Sequence, residues 1–179
     1  MPPSEKDVLC QLADGLEYIH SKQLIHRDIK PANVLIWTGF DEIKRSETVL
    51  MKWADFGLSK PVSERGTCSM TGIMGTMNWK APEVLEKERD DHTDWEKQRA
   101  TTKSDVFAEG LVFAYFLLNG KHPYGSFPET TSNILKGNIV NIQGTICVMG
   151  KTDRLVLKSI CLTIIISHHE QRNTLKFRR

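Results

Sequence analysis

Two stretches carry the residue types for one kind of chemistry: His26-Arg27-Asp28-Ile29-Lys30-Pro31-Ala32-Asn33, then Asp55-Phe56-Gly57. Together they offer carboxylates, an ammonium group and an amide oxygen. Phosphoryl transfer asks a protein to aim a nucleophile, offset charge on the transferred phosphate and hold a metal. Mg²⁺ takes hard oxygen ligands in octahedral array, and the Asn33 amide oxygen and Asp55 carboxylate are such ligands. A lone Asp or Asn is usually a turn residue, so the joint spacing Asp28-x4-Asn33 with Asp55-Phe56-Gly57 carries the argument. A third signature, Ala81-Pro82-Glu83, follows in the same order. His168-His169 invites a metal reading, but adjacent histidines point apart and have no partners nearby in sequence.

These residues need elements to position them. Ser4 with Asp7 reads as an N-cap with an acidic partner, and Leu9, Leu12, Leu16 and Ile19 recur at helical spacing, predicting a helix to about His20. Val34–Trp37 and Val49–Trp53 read as short strands, so Asn33 and Asp55 fall at the two ends of a hairpin. Between them Thr38–Thr48 reads as an exposed polar insertion, and residues 86–99, with six acids and four bases, as a second. Asp105–Leu118 is apolar on nearly every face and stops at Asn119-Gly120, which predicts a buried central helix. Residues 153–166 read as helix or strand.

Composition sets the outer limits. At 179 residues the chain has the length of one domain, and 40% hydrophobic with 26% charged residues is ordinary globular usage. A net charge of +2 gives no reason to expect nucleic acid or membrane as a partner. Cys10, Cys68, Cys147 and Cys161 lack metal-ligand spacing and read as reduced thiols of a cytosol-facing, cytoplasmic domain. The N-terminus lacks the apolar core of a signal peptide, and no apolar run reaches the ~20 residues that span a bilayer.

The octet matches H-R-D-x-K-x-x-N, and with Asp55-Phe56-Gly57 and Ala81-Pro82-Glu83 the chain resembles the eukaryotic serine/threonine protein kinase family. The resemblance implies an α+β, mainly helical kinase fold of the large lobe only, with a short β-hairpin near the active site. It implies ATP and Mg²⁺ as cofactors and a protein as substrate. By the same resemblance Asp28 and Lys30 are catalytic, Lys30, Asn33, Leu35 and Asp55 contact the nucleotide, and Asn33 and Asp55 hold the metal. His26, alone more readily a packed core histidine, is structural, and Phe56-Gly57 lets the Asp55 carboxylate swing. The stretch from Asp55 to Glu83 resembles an activation segment, with Thr67, Ser69 and Thr71 as regulatory hydroxyls and Arg27 as the partner of a phosphate there. Thr76 matches the threonine that bonds the catalytic Asp and Lys, Glu83 and Arg172 match a buried ion pair, and Asp105 matches the aspartate that opens the central helix.

Gly75-Thr76-x-x-Trp79-x-Ala81-Pro82-Glu83, Gly120-x-His122-Pro123-Tyr124-Gly125 and Asn133-Ile134-Leu135-x-Gly137 look, more narrowly, like the inositol-requiring kinase/endoribonucleases of the unfolded-protein response. These signatures span residues 4–144, and RNA cleavage is not implied. That resemblance admits a homodimer and a role in stress signalling. The chain has no G-x-G-x-x-G and no V-A-I-K lysine, elements expected before residue 1, so residues 1–179 read as a partial kinase domain. The rear, His168-His169-Glu170-Gln171-Arg172-Asn173, departs from D-P-x-x-R-P. The missing lobe or another covering partner is therefore expected. Two classes stay open: a serine/threonine kinase, and a non-catalytic kinase-like binding module or gene-model fragment without stand-alone activity. A small-molecule phosphotransferase would share the Asp…Asn…Asp logic without Ala81-Pro82-Glu83.

Overall fold

Four helices and three two-stranded antiparallel sheets make up the described part of the computed structural model, which covers residues 3–43, 45–63, 66–69, 75–89 and 99–141. Helix α1 (Glu5–Ser21) begins at the expected capping box: the Asp7 N–H donates to Ser4 Oγ at 3.2 Å and the Ser4 N–H donates to Asp7 Oδ2 at 3.1 Å. Val8, Leu9, Leu12, Leu16 and Ile19 bury one stripe of it, each worth roughly 1.5–3 kcal/mol of transfer free energy. The helix gives way at Lys22, and Gln23 turns the chain with a left-handed φ of 57°. Strand β1 (Leu24–Ile25) follows and pairs with β4 (Lys60–Pro61).

The hairpin is longer than the sequence suggests. β2 (Val34–Asp41) and β3 (Ser46–Trp53) pair continuously from Val34↔Trp53 to Asp41↔Ser46, so the expected Thr38–Thr48 insertion is mostly strand. The polarity of that stretch misleads because a two-stranded ribbon in solvent needs little apolar patterning, only β-tolerant residues such as Thr38, Phe40, Thr48 and Val49. Its base is anchored on α1. The Gln11 amide caps the outer edge of β3, accepting from Met51 N–H at 2.7 Å and donating to Val49 O at 3.3 Å. Trp53 Nε1 donates to Leu12 O at 2.9 Å, and its ring fills the space where a Cβ on Gly15 would lie 3.3 Å from Cδ1.

α2 (Pro82–Arg89) runs into the region read as a second insertion, and β6 (Arg99–Thr101) closes it by pairing with β5 (Thr67–Ser69). Residues 90–98 lie outside the described residues. α3 (Thr102–Leu117) starts one turn earlier than the apolar run implied, because Thr101 and Ser104 cap it and the polar Thr102–Ser104 still forms helix. Ala108, Val112, Phe113 and Leu117 pack against α1 and Trp53, while Phe107, Leu111 and Ala114 pack against α2, Tyr124 and α4 (Glu129–Lys136). One helix thus divides two cores. Gly120, at φ +79°, bonds Tyr115 O at 2.9 Å and ends it as expected. The 153–166 element, Thr71 and Arg172 lie outside the described residues, among which no helix is long and apolar enough to cross a membrane.

Candidate active site

The loop after β1 is held from below by one carboxylate. Asp105, in the first turn of α3, accepts the His26 N–H (2.8 Å) and Arg27 N–H (2.9 Å), with His20 Nε2 3.0 Å from Oδ2. Those bonds hold Arg27 at a left-handed φ of 68°, a conformation a non-glycine residue keeps only when its surroundings impose it. The His26 side chain is fully buried, with Nε2 3.0 Å from Ala54 O and its ring 5.0 Å from Phe56, so it ties the loop to the segment that carries Asp55.

Asp28 is the centre of the site. Its Oδ1 accepts from the Thr76 N–H (3.1 Å) and Thr76 Oγ1 (2.9 Å); its Oδ2 accepts from Lys30 Nζ (2.7 Å) and Asn33 Nδ2 (3.2 Å). Lys30 also donates to Thr76 Oγ1 at 2.8 Å. Burial pushes the Asp28 carboxyl up, but the bonds from Lys30, Thr76 and Asn33 outweigh it and hold the group below the usual carboxylate range. Asp28 is thus an anion at neutral pH. The segment bearing Thr76 reaches it because residue 75 is glycine: φ is +86°, and a Cβ there would lie 2.6 Å from the Arg27 carbonyl oxygen.

The Ala54 N–H donates to Asn33 O at 2.9 Å, which ties the start of the hairpin to the residue before Asp55. Asn33 Nδ2 is committed to Asp28 O (2.8 Å) and Asp28 Oδ2, which leaves its amide oxygen without a donor among the described residues. Asp55 is exposed and left-handed at φ 63°, with Oδ1 accepting only from Gly57 N–H at 3.3 Å. One amide oxygen and one exposed carboxylate, at the two ends of the hairpin, are the hard oxygen types that a divalent cation such as Mg²⁺ takes.

The remaining expected residues spread outward. Leu35 stands 58% exposed on β2 and Phe56 is also exposed. Thr67 lies in β5 with its Oγ1 3.0 Å from Ser63 Oγ, and Ser69 pairs through its backbone with Arg99. Arg27 Nε donates to Leu58 O at 2.6 Å. Burial raises the thiol of Cys68 in β5, with the charges of Arg27 and Lys60 drawing it back. Glu83 sits in the first turn of α2, half-buried. Sequence reasoning passes over two groups that matter here, His20, one turn after Leu16, and Glu109, whose signal is a lone charge inside an apolar helix; His122 enters it only as a member of the Gly120–Gly125 signature, with no role.

A loop built on Asp28, Lys30 and Asn33, a hairpin returning to Asp55 and a segment delivering Thr76 define a class, and a family model of the protein kinase domain matches residues 3–174: the chain belongs to the protein kinase domain family. Its relatives narrow the likeness. It is 41% identical over 133 residues to human "Serine/threonine-protein kinase/endoribonuclease IRE2", covering 73% of this chain and 13% of that protein. It is 35% identical over 151 residues to the fission-yeast "Sensor for unfolded proteins in the ER ire1", covering 76% and 14%. A Dictyostelium discoideum Aurora kinase is 34% identical over 168 residues, 93% of this chain and 36% of that protein. The chain spans about one seventh of the length of the first two.

Proposed function

We propose that the chain is the large-lobe portion of a protein serine/threonine kinase, with residues 1–179 as one partial domain. The observation that supports it best is the convergence of Lys30, Asn33 and Thr76 on the buried carboxylate of Asp28. Bound ATP with Mg²⁺ would supply the γ-phosphoryl group, and Asn33 and Asp55 would hold the metal. Asp28, kept ionised by its donors, orients the hydroxyl of a protein Ser or Thr and takes up its proton. Lys30 bridges Asp28 and Thr76 and so carries positive charge where negative charge develops. Leu35 offers an apolar surface for the base, and Arg27 with Lys60 offers cationic partners for a phosphate on Thr67, Ser69 or Thr71.

The names of one relative, a sensor for unfolded proteins in the ER, and of another, a serine/threonine-protein kinase/endoribonuclease, support a role in unfolded-protein signalling. The partners proposed are a protein substrate and a covering lobe or second copy. A second reading, a kinase-like module that binds without turnover, is favoured by one observation: Leu35, Ile36, Trp37 and Phe40 stand exposed along one strand. Transfer of label from ATP to a generic Ser/Thr substrate by the native protein decides between them. Transfer that falls on the order of 10²-fold or more in Asp28→Asn is expected; transfer undiminished in that variant overturns the kinase reading.

A further inference from the structure

Thr76–Lys80 forms one tight turn, closed by the Trp79 N–H donating to Thr76 O (2.9 Å) and the Lys80 N–H donating to Met77 O (3.4 Å). Its first residue bonds Asp28. Its far end rests on His122, in the connection between α3 and α4. The Tyr124 N–H donates to His122 Nδ1 at 3.2 Å, so that nitrogen is an acceptor and the ring proton lies on Nε2, which donates to Asn78 O at 3.0 Å. One neutral tautomer alone satisfies both bonds. The ring also meets the edge of Trp79, centroids 4.8 Å apart. Its own backbone is fixed, since Asn141 Nδ2 (2.7 Å) and the Gly125 N–H (3.0 Å) both donate to His122 O.

We propose that His122 is a positioning residue: through Asn78 it sets the turn that delivers Thr76 to Asp28 and Lys30. The catalytic importance of that delivery rests on the kinase reading above. Burial pulls the imidazole down to about 4, so the required tautomer persists across the physiological pH range. The Gly120-x-His122-Pro123-Tyr124-Gly125 signature contains this histidine but does not say what it does. His122 acts through the turn, touching none of the groups around Asp28.

Two substitutions separate the two bonds. His122→Asn keeps an acceptor near the Tyr124 N–H and loses the donor to Asn78, whereas His122→Gln keeps a donor at the Nε2 position. Amide hydrogen exchange on the native protein without nucleotide then reads the turn. In His122→Asn the Thr76, Trp79 and Lys80 amides are expected to exchange about tenfold faster, the scale of one lost buried hydrogen bond. The Lys22 and Ala54 amides should hold their rates, and His122→Gln should stay near wild type. If His122→Asn fails to fold, His122→Phe, which keeps ring volume and removes both bonds, takes its place. Wild-type exchange in the Asn or Phe variant, equal acceleration in Gln and Asn, or acceleration at every amide alike overturns the proposal. Absence of phosphoryl transfer by the native protein would count against the proposed function and leaves this exchange pattern standing.

Discussion

Two buried carboxylates one helical turn apart, Asp105 and Glu109, have opposite fates because only one has donors among the described residues. Asp105 receives two backbone N–H groups, and Asp105→Ala would leave both buried and unbonded. The expected loss is about 3 kcal/mol, read as a lower urea midpoint with unchanged m-value. Glu109 is 7% exposed, its Oε1 has no hydrogen-bond partner among the described residues, and burial, then repulsion from Asp105, pushes its carboxyl up to about 8. The native state therefore holds a proton that the unfolded chain gives up near its ordinary value of 4.5. Stability contributed by the neutral form is whole below that ordinary value and is lost as pH rises to about 8. Glu109→Gln removes the loss, so its gain in unfolding free energy over wild type should be larger at pH 8 than at pH 5, by on the order of 3 kcal/mol. Equal gains at both pH values would show that Glu109 is ionised in the fold.

At the scale of elements, the site exists because three segments approach within hydrogen-bond distance, and glycine sets one approach. Gly75→Ala places a Cβ against the Arg27 carbonyl in a backbone conformation alanine disfavours. A penalty of about 1–3 kcal/mol falls on the contact between the segment bearing Thr76 and the loop bearing Asp28. Faster exchange at the Thr76 amide, with the α1 amides unchanged, is the expected reading. Helix α1 answers to a different device. Ser4→Ala removes the capping box and should cost about 1 kcal/mol in urea unfolding, with no effect on exchange around Thr76.

For the whole molecule, the question is what covers the hairpin. Leu35, Ile36, Trp37 and Phe40 are exposed on β2, and Ile43 at the tip is 96% exposed. On the large-lobe reading, residues 1–179 alone should show little ATP turnover, because the nucleotide has a floor here and its other contacts come from elsewhere. Robust phosphorylation of a generic Ser/Thr substrate by this segment, lost in Asp28→Asn, would overturn the partial-domain reading while strengthening the kinase one. Phosphatase treatment of the native protein tests Arg27 separately: activity unchanged by dephosphorylation would remove its regulatory role.

The octet, Asp55-Phe56-Gly57 and Ala81-Pro82-Glu83 in that order were enough to mark the family by resemblance, whereas the Asp…Asn…Asp chemistry alone would also fit a small-molecule phosphotransferase. The sequence also determined α1 and the buried face of α3, since capping residues and apolar period are local properties. Only the tertiary structure decided the length of the hairpin, which depends on strand pairing and the Gln11 bracket from α1. It alone decided that Asp105 opens toward His26 and Arg27, that Glu109 Oε1 is buried without a partner among the described residues, and that His122 reaches Asn78. Each of these joins residues tens of positions apart, and side-chain hydrogen bonding at that range leaves no periodicity to read.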